Sequence, residues 1–237
     1  MFSNLYMPGN ERIISVETLP AKSTSKSKMN VKSVKAIAKK EAQKVLNQQT
    51  MFKRRLDYFA PTVLSATGSG VVLFDGPQIV QGSGAEDRDG LECMLRHLKF
   101  TLELQYYQEQ VKIRLIGIRY PQGNPTPSLS QILTHPTAAQ AMISPWLKAG
   151  PVKYSKFYDK IHTLGSDEVM TASNKEKIVK FSVKLPKMGT KLTYESGTTQ
   201  TPDRNRYVLF AVPSHVPLAS ASIPYAQGFV STGFTDL

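Results

Sequence analysis

From Pro61 onward the chain sets short apolar runs between clusters of Gly, Pro, Asn and Ser, and helical periodicity nearly vanishes. Leu98, Phe100, Leu102 and Leu104 alternate with Lys99, Thr101 and Glu103, the period of two of a strand with one face in a core. At hairpin distance from it, Val111, Ile113 and Leu115 oppose Lys112 and Arg114, and around Ile116 and Ile118 the run becomes apolar on both faces. Val179, Phe181, Val183 and Leu185 alternate with Lys180, Ser182 and Lys184 in the same half-buried pattern. Gly70–Phe74, Ser155–Thr163, Lys191–Glu195, Arg206–Val212 and Phe229–Phe234 complete a predicted set of eight strands. Between them, Pro121, Gly123, Pro125, Pro127 and Pro136 surround an apolar turn at Leu129, Ile132 and Leu133, which predicts a long structured loop. The fold class that follows is all-β: a single eight-stranded antiparallel jelly-roll sandwich, whose long connections suit it better than a lipocalin-type barrel.

The front of the chain has a different texture. Residues 1–21 show no sustained period and are broken by Pro8-Gly9 and Pro20, so they form a leader of unknown role. Residues 21–28, AKSTSKSK, are too polar to offset the entropy of ordering and are expected to be disordered when free. Asn30 then caps a predicted helix in which Val31, Val34, Ala38, Ala42 and Val45 make a thin apolar stripe beside Lys32, Lys35, Lys39 and Lys44. The organisation is thus a leader (1–21), a basic arm, partly helical or disordered (22–55), and the sandwich domain (56–237).

Charge sharpens this division. Residues 22–55 hold 11 of the 30 basic residues and one acid, Glu41, for a net +10, whereas residues 56–237 sum to +3. Charge segregated in this way points to a polyanion, and lysines neutralise phosphates as point charges without reading bases. The nucleic-acid-binding candidates are Lys22, Lys26, Lys28, Lys32, Lys35, Lys39, Lys40, Lys44, Lys53, Arg54 and Arg55. On single strands their full net charge corresponds to a log K against log salt slope of about −7, as an upper bound. A membrane-surface role is disfavoured because the stripe is mostly Ala and Val, without Trp or Phe anchors. Lys53-Arg54-Arg55 with the upstream lysines also fits a nuclear import signal. Lys153, Lys156, Lys160, Lys180 and Lys184 either add to a nucleic-acid-facing surface or line solvated strand faces. Tyr106, Tyr107 and Tyr120 either stack on unpaired bases or pack in the core and at interfaces.

Other chemistry is sparse. The single cysteine, Cys93, permits no intrachain disulfide and reads as a small apolar filler in a reducing compartment. His97, His135, His162 and His215 lie far apart without metal-site spacing. Glu86, Asp87 and Asp89 either surround a hard cation or form a polar turn in which Arg88 pairs locally. No phosphate loop or nucleophile elbow marks a catalytic centre, so neither catalytic residue, metal nor cofactor is assigned. No secretory signal is expected at the start, and Tyr207–Thr235, although charge-free, contains Pro213, Pro217 and Pro224 and is not expected to insert in a membrane.

VKIRLIGIRYPQGNPTPSLSQIL, residues 111–133, resembles a segment of the capsid proteins of small circular Rep-encoding single-stranded DNA viruses, similar to the coat proteins of geminiviruses and of satellite tobacco necrosis virus. An apolar strand there runs into a Pro-x-Gly turn (Pro121, Gly123), a further proline step (Pro125 or Pro127) and a short turn ending at Ile132-Leu133. SKFYDKIHTLG (155–165), NRYVLFAVPS (205–214) and QGSGAEDRDG (81–90) resemble, in the same order, further strands and the Gly- and Arg-bearing turn of that family. The leader before a Lys-rich arm departs from a family that often starts with an Arg-rich one. The resemblance implies a non-enzymatic coat subunit that self-assembles into a small icosahedral shell of the simplest class, about 60 copies by closed symmetry. It also implies single-stranded DNA as the packaged partner, which charge alone does not separate from RNA, host import factors as further partners, and residence in the virion and the host nucleus. Apolar loops such as Ile132-Leu133 and the stretch around Trp146 are then expected between neighbouring subunits. Two other classes use some of the same features: a nucleic-acid shuttle or movement protein that builds no shell, and a cupin-like jelly-roll enzyme, which would cluster histidines and carboxylates.

Overall fold

The computed structural model describes residues 34–42, 52–64, 70–106, 110–121, 125–148, 150, 152–165, 175–214 and 224–237, which fall into two units, 1–46 and 47–237. In the first unit residues 34–42 form a helix, α1, with every described side chain exposed, Val34 and Ile37 included. The proposed cap Asn30 and stripe residues Val31 and Val45 lie outside the described residues.

Among the described residues the second unit has nine antiparallel strands: β1 (Phe52–Val63), β2 (Val71–Asp75), β3 (Glu92–Tyr106), β4 (Val111–Tyr120), β5 (Ser155–Leu164), β6 (Lys175–Ser182), β7 (Thr190–Thr193), β8 (Arg206–Pro213) and β9 (Tyr225–Asp236). One sheet, A, runs β1-β9-β3-β6 with short β7 also on β3; the other, B, runs β2-β8-β4-β5. Eight strands match predicted positions, and β1 is the ninth. Its sequence, FKRRLDYFAPTV, hides it: the charge run masks the alternation, and Pro61 sits at a register break between Phe59 and Thr62 on this edge strand.

Between the sheets, Leu98, Phe100, Leu102 and Leu104 are fully buried, as their phase predicts. Phe100 is central, stacked on Phe181 at 4.8 Å and meeting the edge of Phe74 at 5.1 Å. Gly117 leaves the space that Phe157 fills, since a Cβ there would fall 2.4 Å from its ring. Cys93 is buried in this core, and burial pushes its thiol up to about 12. Asp75-Gly76-Pro77 ends β2 as expected, with Gly76 at φ +80°.

Hairpin spacing misleads at β3 and β4, which join different sheets. The reason lies in β4 itself. Val111, Ile113 and Leu115 face the inter-sheet core, whereas Ile116, Ile118 and Tyr120 belong to a second cluster with Val208, Phe210 and Val212 of β8. A strand apolar on both faces must be covered on both, and the β4–β5 connection is the cover. Leu129, in a short 3-10 turn (Leu129–Gln131), Ile132, Leu133 and Ala141, in a four-residue helix α2 (Ala138–Ala141), pack onto the far side of sheet B. The expectation that Ile132-Leu133 meet neighbouring subunits is therefore corrected: both are buried within their own chain. Tyr120 is likewise 5% exposed and unavailable for stacking on bases.

A polar clamp locks this strap. Arg114 donates from Nε and Nη2 to the two oxygens of Asp159 at 2.8 and 2.9 Å, and from Nη1 to the carbonyls of Ala141 and Ser144. Asp159 also accepts the indole N–H of Trp146 at 2.8 Å. Burial by itself would raise the Asp159 carboxyl, but the hydrogen bonds from Arg114 and Trp146, with the charges of Arg114 and Lys156, outweigh it and hold it below the usual 3.8. No helix among the described residues is long and apolar enough to cross a membrane.

Two outcomes are expected. Phe100→Ala should cost about 3–5 kcal/mol in urea unfolding, whereas Phe181→Ala, at a partly buried position, should cost less; equal losses would contradict the burial. Asp159 is depressed in the folded state, so its contribution is present above 3.8 and lost as pH falls through the folded value. Asp159→Asn should lower stability at neutral pH by about 3 kcal/mol, flatten the acid limb, and shift the emission of Trp146, the chain's one tryptophan.

Candidate nucleic-acid interface

The eleven basic candidates do not share one fate. Lys22, Lys26, Lys28, Lys32 and Lys44 lie outside the described residues. Lys35, Lys39 and Lys40 are exposed on α1. Lys53, Arg54 and Arg55 belong to β1, and strand alternation divides them. Lys53 and Arg55 stand opposite Phe234 and Thr232, both fully buried, and so point to the core side. The Lys53 ammonium is 2.7 Å from Asp89 and 2.8 Å from Asp236, and it also donates to the Asp87 carbonyl. Burial works against this ammonium, but the hydrogen bonds and charges of Asp236 and Asp89 prevail and raise its pKa. Arg55 is held by Asp57 at 2.6 Å. These two cations are committed within the fold, while Arg54 is exposed on the other side of the strand.

That other side is the outer face of sheet A. Cross-strand register sets Tyr58, Phe229, Thr101 and Lys180 in one row, Leu56, Ser231, Lys99 and Ser182 in the next, and Arg54, Gly233 and His97 beyond. Gln227, Glu103 and Ile178 flank the first row on the opposite side. Leu56, Tyr58, Phe229 and Ile178 are 59, 56, 45 and 65% exposed, far more than such side chains usually are on one sheet face. Tyr58 and Phe229 meet at 5.1 Å, and two shallow hollows of about 280 and 330 Å³ adjoin them. The cations Arg54, Lys99 and Lys180 are exposed among these apolar groups; the carboxylate of Glu103 takes a hydrogen bond from Gln227 at the far side. His97 is held below its usual value by burial first and then by the charges of Arg54 and Lys99. Aromatic faces interleaved with cations suit unpaired bases and phosphates. Sequence reading named Arg54 but missed Tyr58 and Phe229 beside it, because only the pairing of β1 with β9 brings them together and residues 53–55 read as the end of a charged arm.

The other lysines are scattered. Lys180 lies on this face, Lys184 is exposed beyond β6, Lys160 sits 5.9 Å from the Tyr158 ring, and Lys153 and Lys156 border a groove beside Trp146. Tyr107 and the side chain of Tyr106 lie outside the described residues.

The acidic turn also differs from both of its readings. Arg88 does not pair with neighbouring carboxylates: it is fully buried, donates to the carbonyls of Ile79, Gly90, Ser196 and Thr199, and lies 4.0 Å over the Tyr194 ring. Asp89 turns to Lys53, and Asp87 accepts the Gly84 N–H at 3.1 Å. Among the described residues no three His, Cys, Asp or Glu side chains gather at metal-binding distance, and His215 is not described.

No protein-family model and no curated protein matches the chain. Among solved structures it is similar to a chain of Desmodium yellow mottle tymovirus, with 12% identity, a TM-score of 0.33, and coverage of 79% of this chain and 89% of that one. A likeness of that size carries no argument about fold or function.

His97 reports on this face. Phosphates placed against Arg54 and Lys99 would offset the two charges that add to burial in depressing it, so a bound single-stranded oligonucleotide should raise the His97 pKa in an NMR titration. An unchanged value with oligonucleotide bound would locate the contact elsewhere.

Proposed function

We propose that this chain is a viral coat subunit: a jelly-roll sandwich that assembles with copies of itself into a small icosahedral shell and condenses single-stranded DNA by charge neutralisation. The observation that carries the reading is a net charge of +7 in residues 22–51, joined to the first strand of a two-sheet sandwich. With four-residue β7 set aside as an addition to β3, the other eight described strands divide four and four, β1-β9-β3-β6 against β2-β8-β4-β5, which supports the jelly-roll reading. Such a sandwich is a rigid wedge, and the strap over sheet B leaves the outer face of sheet A as the broad open surface of the two. The lysine-rich stretch precedes β1 in the sequence, and in this reading it and the Arg54–Lys99–Lys180 face contact one polyanion. No catalytic group is needed. Import into the host nucleus, in this reading, uses the lysines before β1, since Lys53 and Arg55 are engaged in the fold. DNA rather than RNA, and about 60 copies in closed symmetry, follow from the family resemblance at residues 111–133 and its companions.

The decisive measurement is sizing and electron microscopy of the purified chain together with nuclease digestion of what copurifies. Closed shells holding single-stranded DNA are expected; a stable monomer or dimer under assembly conditions would instead mark a nucleic-acid shuttle. Deleting residues 22–46 removes eight lysines and stops short of β1. That deletion should leave the sandwich folded and lower the salt slope by about 5, at about 0.7 per net charge removed. Unchanged nucleic-acid content would refute the packaging role. A longer deletion through Arg55 would also unpair the edge strand.

A further inference from the structure

The connections at one end of the sandwich are long and mutually braced. Lys53 at the start of β1 reaches Asp87 and Asp89, Arg88 reaches Ser196 and Thr199, Arg119 reaches Asn205 at 2.8 Å, and Thr126 reaches Asp75 at 2.7 Å. This end carries two features of opposite charge. One is the turn at residues 84–89, where Glu86 and Asp89 are exposed and Arg88 withdraws its own charge into the carbonyls beneath. The other is a groove of about 640 Å³ in the β4–β5 strap, bordered by Lys148, Lys153 and Lys156 with Trp146, Val152 and Tyr154 as its apolar wall.

We propose that the acidic turn of one copy docks in the basic groove of the next copy of this chain. The inference rests on the coat-subunit reading and names the contact by which the subunits join. Both features keep charge in reserve: among the described residues no ion pair engages Glu86, Lys148 or Lys153, although Asp89 is paired with Lys53, and Lys156 has Asp159 at 3.9 Å, a carboxylate already shared by Arg114 and Trp146, and lies 5.2 Å from the Trp146 ring. Both features are preorganised. Arg88 stiffens the turn from below, while the polar tips of the aromatic wall are pinned, Trp146 by Asp159 and Tyr154 by the carbonyls of Ile132 and Leu147. The two patches differ, so the contact is heterologous and propagates by rotation until it closes a ring, as every rotation axis of a shell requires. Opposed charges then set the register and reject other orientations, while Val152 and Trp146 lose water. Nucleic acid is the poorer occupant, because the groove lies in the strap over sheet B, apart from the Arg54–Lys99–Lys180 face of sheet A.

Charge reversal and its compensation test the contact in the full chain. Glu86→Lys and Lys153→Glu alter exposed side chains and should leave thermal unfolding unchanged. Each alone should raise the protein concentration needed for assembly about tenfold or more, and the double variant, which restores opposite charges, should recover to within about threefold of the original chain, as read by sedimentation and electron microscopy. A double variant no better than the worse single one overturns the contact. So does a Lys153→Glu variant that assembles normally but retains less nucleic acid, which would assign the groove to the genome. An original chain that never assembles overturns the coat-subunit reading itself, and the contact with it.

Discussion

Strands β4 and β8 are apolar on both faces, and the rest of the domain follows from the need to cover them twice. The inter-sheet core takes Ile113, Leu115, Leu209 and Ala211; the strap takes Ile116, Ile118, Val208 and Phe210. A connection of this length could not rest on an apolar sheet face without satisfying its own backbone, and Arg114 does part of that work by donating to the Ala141 and Ser144 carbonyls. Its charge is in turn matched by Asp159 rather than left unpaired in the interior. Trp146 joins the same carboxylate, so one acid couples β4 and β5 to the later half of the strap.

The consequence is an asymmetric brick. Among the described residues, the outside of sheet B is covered by its own chain and that of sheet A is not. On β1 the usual distribution is inverted, with Leu56 and Tyr58 outward and Lys53 and Arg55 toward the core. The inward cations are stabilised by Asp89, Asp236 and Asp57, three carboxylates contributed by the edge strand itself, by β9 and by the turn before β3. The outward apolar groups stay available to a partner. On this strand the hydrophobic side is exposed while internal ion pairs hold the cations inward, and a stretch of net +7, residues 22–51, precedes it in the sequence.

Local periodicity revealed much of this architecture. The burial of Leu98, Phe100, Leu102 and Leu104, the two-faced burial of Ile116 and Ile118, and the half-buried phase of Val179 to Leu185 were all legible, because strand alternation expresses a core face in consecutive residues. The structured loop around Leu129 was legible from its prolines and its apolar turn. β1 was not, since its neighbours determine which side is inside, and Lys53 is tolerable there only because Asp89 and Asp236, 36 and 183 positions away in sequence, converge on it.

What the chain determined by itself is the segregation of charge, the all-β texture and the phase of each interior strand, since these depend on residues close in sequence. Tertiary structure alone decided that β3 and β4 part into different sheets, that Ile132 and Leu133 cover their own domain, that Arg88 is buried among carbonyls, and that Arg54, Lys99, Lys180, Tyr58 and Phe229 share one surface. The physical reason is common to all four: sheet pairing and burial bring together groups separated by tens of residues or more, and no local period encodes which distant strand supplies the partner.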